Sequence, residues 1–150
     1  MHRSSRRIAM RRLGSLFALV SGLAIATGVV AAEADLRKAP PGGGYKKVSE
    51  LVKLPDFLPG MGTLYVKPET LPAGPFLAYD RDGKLVSTTY MIPMKDLEAK
   101  KKFDDLAVAK EKVDHVDLYF NAGHPGVEEP HYHVVLWYIP ESQEKTLAGK

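Results

Sequence analysis

Two runs near the end of the chain alternate apolar and polar residues, and they carry the strongest structural signal. The stretch His115–Asn121 (HVDLYFN) and the stretch 131–139 (HYHVVLWYI) each predict a strand, because successive side chains of a strand point to opposite faces. The nine-residue connector AGHPGVEEP joins them. If they pair as an antiparallel hairpin, Tyr119 lies beside His133 and Asn121 beside His131, with opposite Cβ atoms about 4.5 to 5.5 Å apart. One face of the pair collects Val116, Leu118, Phe120, Tyr132, Val134, Leu136 and Tyr138, and this apolar surface is expected to pack on the core. The other collects His115, Asp117, Tyr119, Asn121, His131, His133, Val135 and Trp137.

Upstream, residues 76–79, the turn Asp80-Arg81-Asp82-Gly83 and residues 84–92 predict a second hairpin, its Asp-Gly pair favouring a positive φ. A short strand is expected near 63–67. Val48, Leu51 and Val52 are spaced for two helical turns over 46–53, ended before Pro55. Leu97, Phe103 and Leu106 recur at a broken helical period over 94–108, which predicts a short helix followed by a loop. The expected fold class is α+β: a mostly antiparallel β sheet, or a small barrel-like sandwich, with one or two short helices. Residues 46–140 form the single globular domain, preceded by a flexible linker over 35–45 (DLRKAPPGGGY) and followed by a polar tail over 141–150 that frays.

The first 34 residues read as a cleaved export signal. Arg3, Arg6, Arg7, Arg11 and Arg12 form a basic head, an apolar run covers 13–30, and small residues follow at Ala31, Ala32 and Ala34. The paired arginines in SRRIAM also fit a twin-arginine address. The expected location is periplasmic or secreted, with no stable membrane anchor after cleavage. Removing the leader changes the charge argument. The whole chain has a formal charge of +3, but from Asp35 onward 16 Lys plus Arg face 17 Asp plus Glu, a net charge of −1, which removes the usual case for a nucleic-acid partner. The absence of cysteine excludes a disulfide scaffold, a thiolate metal site and a cysteine nucleophile.

Four of the five histidines, His115, His124, His131 and His133, fall between positions 115 and 133. A His-x-His pair on a strand projects two imidazoles to one side, with Cα atoms roughly 6.5 to 7 Å apart, so both can reach one ion at about 2.0 to 2.1 Å. A third ligand from His124 or His115, or a carboxylate from Asp117, Glu128 or Glu129, suits a divalent transition metal, zinc first, with one position left for water. The competing reading makes the pair two ordinary polar side chains of an amphipathic strand. Tyr119 and Trp137 are candidate ligand-binding residues beside the histidines, together with Glu128 and Glu129. No catalytic residue is assigned. The serines lack a Gly-x-Ser-x-Gly setting, the run at 42–44 lacks a phosphate-loop context, and the turn at 80–83 lacks the later glutamate of a calcium loop.

The connector GHPG at 123–126 and the strand PHYHVVLW at 130–137 resemble a family of exported bacterial proteins of unknown function. That family pairs a Gly-His-Pro-Pro connector with a Pro-His-Phe-Asp-Phe-His-Phe-Tyr strand. The segments LPGMGTLY at 58–65 and DGKL at 82–85 resemble it too, so the likeness covers about residues 55–138. His124 and His131 stand where the family has histidine, and His133 stands in the place of its Asp. Val135 and Leu64 occupy positions where histidine is expected. The resemblance implies either a reduced or relocated metal site, with His133 and His115 substituting, or a purely structural descendant. The leading functional reading is a small exported binding protein for a metal or small ligand. The alternatives are a metal-dependent hydrolase with Glu128 or Glu129 as general base, and a structural module that forms a homo-oligomer.

Overall fold

The strand β4 (Leu85–Pro93) organises the molecule: all nine of its residues are buried. Its sequence LVSTTYMIP carries apolar or β-branched side chains on both faces, as a strand covered on two sides requires. The computed structural model describes residues 35–149, and the leader expected over residues 1–34 lies outside them. Six strands form one open sheet in the order β1 (Lys46–Lys47), β2 (Thr63–Val66), β3 (Phe76–Tyr79), β4, β6 (His131–Trp137), β5 (His115–Asn121), and every neighbouring pair is antiparallel. This is the α+β class expected, as an open sheet rather than a sandwich. Three short helices accompany it: α1 (Val48–Leu51), α2 (Met94–Glu98) and α3 (Glu141–Leu147).

The β3–β4 hairpin closes as expected, with Asp80 Oδ1 accepting from the backbone N–H groups of Asp82 and Lys84 at 2.9 and 2.8 Å and Gly83 at φ +73°. Its register steps from Ala78↔Ser87 to Tyr79↔Leu85, leaving Val86 as the extra residue of a bulge. The closing hairpin has the predicted register, Tyr119↔His133 and Asn121↔His131.

Three expectations are corrected. The stretch 35–45 is docked and not loose: the backbone N–H of Leu85 donates to the Arg37 carbonyl at 3.0 Å, the Tyr79 hydroxyl donates to the Leu36 carbonyl at 2.9 Å, and Leu36, Ala39 and Tyr45 pack on the outer core. The tail forms α3, fastened where buried Leu147 joins the inner core and its carbonyl accepts from Gly60 N–H at 2.9 Å. The third correction concerns the hairpin's faces. Val116, Leu118 and Phe120, expected inside, are 55, 66 and 53% exposed, while His131 and His133 are 0 and 4% exposed. Cover decides this. On the histidine face, α1, the connector's Val127 and the Leu147 end of α3 supply apolar side chains. On the opposite face, the segment after α2 reaches β4, where the Tyr90 hydroxyl donates to the Ala107 carbonyl, and leaves the apolar stripe of the edge strand β5 open.

Candidate metal centre

The inward phase of β6 places His131 and His133 on the buried face of the sheet, and the connector brings His124 against both rings. His124 and Val127 exchange both backbone hydrogen bonds at 2.9 Å, and burial of the Val127 side chain fixes that loop to the core. Gly123 is required at the start of the connector: its φ is +128°, and a Cβ there would stand 2.5 Å from the Glu128 carbonyl oxygen. Asn121 Oδ1 accepts from Gly123 N–H at 2.9 Å and holds the exit from β5.

The result is a convergent triad. One ring nitrogen from each of His124, His131 and His133 lies within 4.8 Å of the others. The ring centroids are 5.0, 5.6 and 4.9 Å apart for the pairs 124–131, 124–133 and 131–133. Each Nδ1 faces an oxygen: the Glu129 carbonyl at 2.7 Å from His131, the Tyr119 hydroxyl at 3.0 Å from His133, and the Pro125 carbonyl at 3.1 Å from His124. Outer oxygens of this kind fix tautomer and ring orientation in metal-binding histidines.

The proton positions follow from donor and acceptor chemistry. A carbonyl only accepts, so His131 carries its hydrogen on Nδ1 and, as a neutral ring, presents a lone pair at Nε2. That Nε2 lies 2.9 Å from His133 Nε2, so His133 donates there and its Nδ1 accepts from the Tyr119 hydroxyl. Burial, followed by the neighbouring His131 and His124 rings, pushes the His133 pKa down to about 4, which keeps this ring neutral at pH 7. His124, His131 and His133 would hold a divalent ion through one ring nitrogen each, and His133 would then carry its proton on Nδ1, facing the Tyr119 hydroxyl. Two tetrahedral nitrogen ligands at ordinary zinc distances sit about 3.3 Å apart. The His131–His133 nitrogen pair, at 2.9 Å, would widen by a few tenths of an ångström to admit the ion.

The remaining predicted residues fall elsewhere. His115 and Asp117 belong to a second group at the far end of the same face, joined by Glu144 of α3, with ligand atoms again within 4.8 Å. His115 Nδ1 meets Asp114 at 3.0 Å; its Nε2 is 3.6 Å from Glu144 and has no hydrogen-bond partner among the described residues. Trp137 is buried at this end and donates from Nε1 to Asp117 at 2.8 Å. Glu128 is exposed, and the Glu129 carboxylate pairs with Lys95 at 2.7 Å, so Glu129 serves the triad through its backbone carbonyl. Glu144 was hidden in the stretch read as a fraying tail. Its signals were Pro140 before a turn bearing Glu141 and Glu144, and the Glu141–Lys145 pair one turn apart.

A small open antiparallel sheet with a buried histidine cluster under its connector defines the class of protein. The TTHB210-like family model, described as hypothetical protein TTHB210, matches residues 80–120. The crystal structure of hypothetical protein TTHB210 from Thermus thermophilus is 46% identical to this chain, with a TM-score of 0.58, and the match covers 64% of this chain and 94% of that one. The chain belongs to the TTHB210-like family. No curated protein gives a significant match. The relative is described as hypothetical, so membership brings a fold and no activity.

Proposed function

We propose that this is an exported small binding protein that holds one divalent transition metal, zinc in the first instance, through His124, His131 and His133. The observation that carries the reading is the convergence of three ring nitrogens within 4.8 Å, each ring with its Nδ1 turned to an oxygen. Three neutral nitrogen ligands leave a fourth position for water or another ligand, the arrangement of an open zinc site. The general-base candidates stand apart from the triad, Glu129 on Lys95 and Glu128 in solvent, which favours binding over turnover. Export is supported by the basic head, apolar run and small residues of the leader.

Metal analysis of protein purified without a His tag, followed by zinc titration of the chelated protein, is expected to give one zinc per chain. The His131→Ala, His133→Ala double variant loses that uptake; zinc bound as tightly by the variant as by the parent would remove the triad from consideration. For export, the protein recovered from the periplasm is expected to begin near residues 31–35. Protein retaining its first residue there would contradict cleavage.

A further inference from the structure

Resting on the triad reading, we infer that the metal centre is the polar end of a cavity that receives a medium-chain carboxylate, its head on the metal and its chain among apolar side chains. A cavity of about 350 Å³ opens from the triad, with Tyr119, His124 and His133 at that end. Its other walls are mostly apolar, Leu51 and Val52 at the end of α1, Leu58 and Met61 from the following loop, and Leu64 and Phe76 from the sheet, with Thr89 of β4 and Asn121 of β5 the polar residues among them. Val52, Leu58 and Met61 pack against the inner core but stay only partly buried, as walls of a hollow do and the interior of a close-packed core does not. Leu51 and Leu71, at 40 and 43% exposure, mark the rim. The triad loop and the apolar wall meet directly, since a Cβ on Gly126 would stand 3.0 Å from Val52 Cγ1.

Size, wall chemistry and charge select the occupant. Small-molecule sites run from about 300 to 1,000 Å³. At roughly 30 Å³ per water-sized group, this cavity holds about ten to twelve non-hydrogen atoms, the size of octanoate to decanoate. Water is a poor occupant where the polar partners lie mostly at one end. The three imidazoles bring no negative charge, and Glu128 and Glu129 stand outside the triad, so a bound divalent ion keeps its full charge beside apolar walls. An anionic head offsets that charge and fills the open ligand position.

The test is calorimetric titration of the full mature chain with decanoate and with acetate, zinc-loaded and chelated. Decanoate is expected to bind the zinc-loaded protein at least about tenfold tighter than it binds the chelated protein, and at least about tenfold tighter than acetate binds the zinc form. Leu64→Trp, which fills the cavity, is expected to lose decanoate while retaining zinc. Leu51→Trp at the half-exposed rim gives the same readout where a buried tryptophan disturbs folding. Zinc uptake with decanoate no tighter than acetate, or decanoate binding unchanged in both tryptophan variants, overturns this inference and leaves the triad standing. Equal decanoate affinity with and without zinc overturns the placement of the head on the metal. Failure of zinc uptake by the parent overturns the triad reading and this inference with it.

Discussion

One face of the sheet carries two groups of titratable side chains, a histidine triad and a single histidine among carboxylates, and they behave oppositely. At the connector end, His131 and His133 are buried and exchange hydrogen bonds with each other, with a hydroxyl and with a carbonyl. At the other end, His115 is partly open and faces Asp114, Asp117 and Glu144. Burial lowers the pKa of His133, whereas the Asp114 hydrogen bond raises that of His115. The same side chain on the same hairpin is thus held neutral in one place and favoured as a cation in the other. What differs is cover and the charge of the neighbours, not the strand.

The largest break in this comparison is expected from truncation at each end in chelated protein. His131→Ala empties a fully buried site and leaves the Glu129 carbonyl and the His133 Nε2–H without partners, a loss of about 3 kcal/mol from cavity and unsatisfied polar groups together. His115→Ala removes a partly buried imidazole that faces Asp114 and Glu144 and stacks on Trp137, and a smaller loss is expected there. Urea denaturation of both variants gives the two numbers. Similar losses at both ends would mean that the triad is not the buried, mutually satisfied unit described above.

A slightly smaller effect is expected from pH, again without metal. The unfolded chain binds a proton at His133 near pH 6.5 and the folded chain only near pH 4, so between those values the unfolded state holds more protons and stability falls as pH falls. The contribution is whole above about pH 6.5 and gone below about pH 4, a change of roughly 3 kcal/mol at most. His115 works in the other sense: its folded pKa is raised, so its contribution is present in acid and fades as pH rises through the folded value. Melting temperatures of chelated parent and His133→Asn across pH 4 to 7.5 separate the two, and the variant is expected to show the flatter acid limb. An unchanged limb would contradict the assignment to His133.

The contrast also marks what could be read from residues alone. Both hairpins, the Tyr119–His133 register and the His131–His133 pairing on one face follow from alternation and turn chemistry, which are local. The inside and outside of the closing hairpin are not local. The apolar stripe of β5 predicts burial, yet α1, Val127 and Leu147 come down on the histidine face, and no pattern within the two strands encodes where those segments land. Two histidines tolerate that burial because each satisfies the other's ring nitrogen. The distance of His115 and Asp117 from the triad follows from the same Tyr119–His133 register, which sets them opposite Trp137 and Val135; the non-local part is Glu144, delivered to that end by α3.

The smallest expected effect tests the outward apolar stripe of β5. Leu118 is 66% exposed on an edge strand, and its side chain stands on the face opposite both clusters. Leu118→Thr puts a β-branched side chain on a strand and gives up little buried area, so denaturation in chelated protein is expected to move by less than about 0.5 kcal/mol. Zinc affinity is expected to stay at the parent value. The variant sharpens the comparison because a sequence-based reading puts Leu118 in the core, where the same change costs several times more. A loss above about 2 kcal/mol, or a melting temperature that rises with protein concentration, would show that this face is covered in solution by another copy of the chain. The open stripe of β5 would then be an interface between copies of the chain.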